Sequence, residues 1–448
     1  MPAGRLLMAR EFAYQAVYRY LNALIDEAQR GGQPRLPSLR ALSRRLRVSL
    51  ATVQTAYGLL EYEGRVLSVP KSGYFAQPAV LDAGQAAPAQ PLMERVLLAH
   101  ERRLARQRAR SLSVLEHCGG ARLRSALAER YTRSSRQCWR PEDVHVGPDV
   151  QALLETLLAA LALHGSTVLV ASPCCWRLLR VLQRVGMQVL ELPLDTHGCP
   201  DLGRLARLLG RESVRMMIMP SCLGMPVGQL MSQQEQQQVA NLLALHPIWL
   251  LENDLDSEHC FAGPPRSRLR DWVDPRWLLV LGSLEAVVGA EAPYAYVLGR
   301  HAAVAQAFAL RCFQLAPVRQ QALAQMLGKG EIDAQLNRQR SELQGRMQQF
   351  CQQLQLHLGA QLAFALPEGG QVVWVRLRQP IPSQRITAAL HGSALHVVAG
   401  EQFSLQGRYH QYLALTWMGE QPEALHEALC LLGQALASRS GLQVDAPG

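Results

Sequence analysis

The chain has 448 residues, 48% of them hydrophobic and 18% charged, with a formal net charge of +10. That length predicts two domains or more, and the composition is that of a globular protein with a sizeable core rather than a disordered one. No apolar run approaches the roughly 20 residues that cross a bilayer, and the first residues show no leader peptide, so no membrane partner is expected and the expected setting is cytoplasmic.

Residues 11–29 (EFAYQAVYRYLNALIDEAQ) repeat apolar side chains at helical spacing and predict an amphipathic helix. Pro37-Ser38 opens a second helix. Ser38 can cap the first-turn N–H groups, and Leu39, Leu42 and Leu46 follow at helical spacing with Arg40, Arg44 and Arg45 between them. Arg47-Val48 makes a turn. Ser49 caps a third helix, with Val53, Ala56, Tyr57 and Leu60 as its apolar face and Gly64 as its stop. Two β segments, 65–69 and 74–76, are joined by the tip Pro70-Lys71-Ser72-Gly73. Helix, turn, helix and glycine-tipped wing in this order predict a winged helix-turn-helix. The start of the third helix presents Ala51, Thr52, Gln54 and Thr55, side chains small or polar enough for a major groove about 12 Å wide. Residues 1–75 hold eleven Lys or Arg against five acids, a net +6 out of the chain's +10. Phosphate contacts supply most nonspecific DNA affinity, so double-stranded DNA is the expected partner.

Residues 77–91 are rich in Ala, Pro, Gln and Gly and read as a linker. Helical patterns follow at 92–112, 121–131 and 150–163. Strand-like runs at 167–171, 188–192, 215–219, 248–251 and 277–281 then alternate with helical stretches at 176–185, 202–209 and 232–245, which predicts a mostly parallel α/β sheet. A helix at 332–358, strands at 371–377 and 412–417 and a last helix at 422–438 predict a smaller α+β subdomain. The ten cysteines are scattered without a CxxC pair, so reduced thiols and no metal site are expected.

The segment 36–76 resembles the GntR family of bacterial transcription regulators. The P-S-x-R-x-L-S opening, the V-S-x-x-T-V-x-x-A-Y core and the P-x-S-G-Y-F wing are all present. The resemblance implies DNA contacts at Arg40, Thr52 and the Gly73 wing tip. Ser49 and Lys71 complete the expected DNA-binding set with Ala51, Gln54 and Thr55. Many members carry Arg after the capping serine. Leu50 stands there, so phosphate anchoring at that point is weaker or differently arranged.

The second domain resembles the fold-type I aminotransferases, and the whole chain the MocR-type branch of the GntR family, in which a winged helix is fused to such a domain. Ser172-Pro173, Met225-Pro226-Val227-Gly228, Glu252-Asn253-Asp254-Leu255-Asp256-Ser257-Glu258, Gly282-Ser283-Leu284-Glu285-Ala286 and Ala399-Gly400-Glu401-Gln402-Phe403-Ser404 follow the family's motif order. The implied fold class is an N-terminal winged helix-turn-helix plus an α/β domain like pyridoxal phosphate (PLP)-dependent transferases. Its boundaries are 1–76 for the DNA-binding domain, 77–91 for the linker, 92–331 for the large subdomain and 332–448 for the small one.

The family's chemistry begins with a lysine amine on the PLP aldehyde. That position is Ala286, and the chain holds only two lysines, Lys71 and Lys329. Asn253 replaces the Asp that pairs with the pyridine nitrogen, and Leu255 replaces the Tyr on the ring oxygen. Met225 replaces the Asn before P-x-G, and Cys175 the stacking aromatic. Around the phosphate cup, Pro148 and Asp149 follow Gly147, Ser283 is kept, Glu285 replaces its partner serine and Pro293 the Arg. Ala414 stands at the substrate-carboxylate Arg. Gly328-Lys329-Gly330 lacks a phosphate-loop context and reads as an exposed turn.

The expectation is a DNA-binding transcriptional regulator, not an enzyme. Its second domain has lost PLP and the catalytic residues and serves in homodimerisation, and no cofactor is expected. Three readings stay open: a PLP-sensing regulator, residual aminotransferase activity, and an unknown small-molecule effector in the remodelled pocket. Ala286 and Asn253 oppose the first two, and nothing in the sequence excludes the third.

Overall fold

The computed structural model describes residues 35–62, 66–69, 73–76, 91–108 and 120–437 apart from 196, 418 and 420, together with positions 17, 20, 21 and 23–25. The chain divides into two compact units, Met1–Asp82 and Ala83–Gly448.

In the first unit the helices Leu39–Leu46 and Leu50–Tyr62 are joined at Arg47, whose φ of 53° makes the left-handed turn. Val17, Leu21 and Ile25, spaced four apart on one helix face, are buried with Leu42, Val53 and Tyr57. The strands Val66–Val69 and Gly73–Ala76 form the expected hairpin. A strand not expected, Arg35–Leu36, pairs antiparallel with Gly73–Ala76 and completes a three-stranded sheet. Two residues are too short to show alternation, so nothing in their pattern announces a strand.

The second unit is built on a seven-stranded sheet in the order Val144–Gly147, Ala295–Gly299, Leu278–Ser283, Trp249–Asn253, Val214–Pro220, Thr167–Ser172 and Gln188–Pro193. The last five are the runs expected from sequence, and neighbours among them are parallel. Ala295–Gly299 runs antiparallel to both of its neighbours. The apolar runs are continuous because both faces are covered. On Leu278–Ser283, Leu278 and Val280 pack with Leu169 and Leu250 on one face, and Leu279 and Leu281 with Val168 and Leu251 on the other. Each fully buried Leu or Val contributes about 2 kcal/mol of hydrophobic stabilisation.

Caps set where the covering helices begin. Asp201 starts Leu202–Arg211 by accepting from Arg204 N at 3.0 Å. Ser232 and Glu235 close a reciprocal box on Gln233–Leu243, at 3.3 and 2.8 Å.

The C-terminal part carries an antiparallel sheet in the order Leu362–Phe364, Val373–Leu377, Tyr412–Trp417, Leu395–Ala399. Val373, Val375 and Leu377 face the helices Glu331–Leu358 and Pro422–Ala437. Trp374, Ala414 and Val398 lie on the other face, with Met225 of the large subdomain. One cysteine departs from expectation. Eight described cysteines are free, but Cys312 is disulfide-bonded, which scattered spacing could not announce. No helix among the described residues is long and apolar enough to cross a membrane.

Candidate functional site

The winged helix presents a basic, capped reading surface. Ser38 accepts from Ala41 N at 3.3 Å and starts the first helix, whose Arg40, Arg44 and Arg45 are exposed. Ser49 accepts from Thr52 N at 3.1 Å, and its hydroxyl lies 2.7 Å from that of Thr52. The Ser49 hydroxyl is thus held within the cap. Tyr57 donates to Pro37 O at 2.6 Å and fixes the recognition helix to the chain entering the motif. Burial, then Tyr74, raises the Tyr57 phenol far above its usual range. Gln54 is exposed and Thr52 half-buried. Ala51 and Thr55 lie on the helix, but their side chains are outside the described set, as is Lys71 with the rest of the wing tip. Gly73 has a φ of 108°, which the wing needs as the chain re-enters the sheet.

The second candidate site lies where the parallel strands end, the usual ligand position in such sheets. Asn253 closes its strand, and its Oδ1 accepts from Leu255 N at 3.2 Å. Leu255 packs against the core of one sheet face. Ser283 closes the neighbouring strand and accepts from Glu285 N at 3.1 Å. Glu285 and Ala286 form the one-turn helix Glu285–Val288, and half-buried Pro293 precedes Ala295–Gly299.

Asp149 caps Val150–Ala160, accepting from Ala152 N at 2.8 Å. A carboxylate is therefore already seated on one of the orphan N–H groups of that helix, at the end that otherwise favours an anion. Cys175 is the N-cap residue of Trp176–Arg184, with its thiol pushed up to about 11 by burial and then by Asp256. Asp256 is itself pushed up to about 7 by burial and then by Asp254. Ala414 is buried, directly opposite Trp374 in register. Trp374 stacks on Tyr412 at 5.2 Å between centroids and meets Phe403 edge-on at 5.3 Å. An apolar, aromatic wall thus stands at the carboxylate-Arg position. Lys329 caps the end of Pro317–Gly328, with its amine 3.9 Å from Glu331.

Sequence reasoning missed two buried charge clusters. Arg270, 1% exposed on its side chain, contacts Glu252 and Ser221 and lies 3.1 Å from Asp254. Asp254 also accepts from Tyr131 Oη at 2.8 Å and from Ser257. Burial alone would lower the Arg270 pKa, but Asp254 and then Glu252 raise it above its ordinary value. In the second cluster Glu191, 3% exposed, accepts from Ser172 Oγ at 2.9 Å and, in the C-terminal part, from Ser404 Oγ at 2.8 Å, Leu405 N at 2.6 Å and Gln406 N at 3.1 Å. The acids stood in the sequence, but their partners lie up to 215 positions away.

Known proteins match this architecture. The family model "Aminotransferase class I and II" matches residues 80–413, and "Bacterial regulatory proteins, gntR family" matches residues 13–75. The "Uncharacterized HTH-type transcriptional regulator YjiR" of Escherichia coli (strain K12) is 24% identical over 94% of this chain and 98% of its own length. The "Probable rhizopine catabolism regulatory protein MocR" of Rhizobium meliloti is 23% identical over 73% of this chain and 66% of its own. Among solved structures, the α-aminoadipate aminotransferase LysN of Thermus thermophilus superposes with a TM-score of 0.69 at 21% identity, covering 80% of this chain and 92% of that one. The chain therefore belongs to the aminotransferase class I and II family by its second unit and to the GntR family by its first, a transcriptional regulator of the MocR type.

Proposed function

We propose that this regulator works without PLP, and that its aminotransferase-like unit serves as a homodimerisation body that can hold another effector. The observation that carries the reading is Asp149, whose carboxylate caps the helix N-terminus that a phosphate would need. The other positions agree. Ala286 offers no amine, and Asn253 is a neutral amide whose oxygen is already engaged by Leu255 N. Ala414 sits in an apolar wall. These side chains do not fit PLP. Each carboxylate at about 4 Å from a phosphate would cost about 1–4 kcal/mol, depending on the local dielectric.

In this reading the first unit grips duplex DNA through Arg40, Lys71 and the Gly73 wing, and reads bases with Ala51, Thr52, Gln54 and Thr55. Residues 77–91 link it to the second unit, and the protein acts in the cytoplasm on the nucleoid. Homodimerisation would place two winged helices on paired half-sites. The test is a titration of the purified full chain with PLP, followed by visible absorption and by borohydride reduction. No new protein-linked band and no fixed adduct are expected. A yellow protein that releases PLP on denaturation would overturn the reading.

A further inference from the structure

Of the six large apolar side chains exposed among the described residues, Leu50 is the one in the winged helix, at 44% exposure. It is the first residue of the recognition helix, directly after the Ser49 cap. The N-terminal residues of a recognition helix are those that reach base edges. The hydroxyls beside it are turned on one another, Ser49 and Thr52 at 2.7 Å. Four residues on, and so on the same helix flank, stands exposed Gln54. An exposed leucine here adds nothing to the buried face of Val53, Ala56, Tyr57 and Leu60, and it cannot bind phosphate.

The chemistry it can perform in a major groove is apolar contact with the 5-methyl group of thymine, while a glutamine can bond N6 and N7 of adenine. We infer that Leu50 is a specificity-determining residue that reads a thymine methyl, and that Leu50 and Gln54 together select an A·T-containing step. The inference rests on the DNA-reading function of the first unit.

The probe is a duplex selected from a random pool by the full chain. Each thymine in it is replaced singly by deoxyuridine, which lacks only the methyl group. At one thymine position the replacement should weaken binding about four-fold, the worth of one buried methyl group. Leu50→Ala should abolish that penalty, and Leu50→Met should keep it. Because the deoxyuridine series is run first on the unaltered chain, the result does not depend on how a variant folds. If no thymine shows a penalty, or if Leu50→Ala retains it, the inference is overturned while DNA reading stands. If the pool yields no preferred sequence, both fall.

Discussion

Arg270 pairs with two buried carboxylates, Glu252 and Asp254. Without it, Glu252 and Asp254 would face each other in a site from which water is excluded. Burial raises the Glu252 pKa above its ordinary value. Burial would raise that of Asp254 too, but Arg270 and then Arg268 bring it below. Removing one partner of such a buried group costs about 3–5 kcal/mol, a large share of a typical stability of about 5–15 kcal/mol. Arg270→Met should therefore lower the urea midpoint of the full chain sharply, and an unchanged midpoint would show that the network is not structural.

Asp256 carries a pH signature of opposite sign to an ordinary ion-paired acid. Its folded pKa, about 7, lies above the ordinary 3.8 because burial and then Asp254 disfavour the anion. Between those values the folded chain binds a proton that the unfolded chain releases. The stability this group contributes is thus fully present below about pH 3.8 and is lost as pH rises toward 7. Asp256→Asn should flatten the fall in melting temperature between pH 5 and pH 8. A native and a variant curve that stay parallel across that window would contradict the assignment.

At the scale of elements, the proposed reading puts phosphate gripping on the helix Leu39–Leu46 and base reading on the helix Leu50–Tyr62, and the two can be separated. Arg40→Ala removes an exposed cation from the first helix and should weaken binding to all duplexes by a similar factor while flattening the salt dependence. Gln54→Ala should leave the salt slope unchanged and relax base preference at one position. Equal effects of both changes on specific and random duplexes would refute this division. Elements were legible in the sequence where local chemistry decides them. Ser38, Ser49, Ser232 and Asp201 cap where a capping residue stands, and the five parallel strands were visible as largely apolar runs. Arg35–Leu36, Val144–Gly147, Ala295–Gly299 and Leu395–Ala399 were not: the first is too short to show a pattern, and the others lie outside the regular alternation of strand and helix. The departures from the family's motifs at Asn253, Leu255, Glu285 and Ala286 were legible because those motifs are contiguous in the chain. The Arg270 cluster was not, since it depends on which side chains the fold brings together.

At the scale of the molecule, the chain combines a basic winged helix, holding +6 of its +10 charge within residues 1–75, with a larger α/β unit. Glu191 ties the edge strand of the large sheet to the Ser404–Gln406 segment of the C-terminal part. That fits a unit that serves as a fixed platform. In the proposed function the regulator binds DNA as a dimer that carries no PLP, and native mass spectrometry of the full chain on its selected duplex checks this. The expected mass is two 49.6-kDa chains plus one duplex and nothing further. A complex with one chain per duplex, or one heavier by the mass of PLP on each chain, would contradict it.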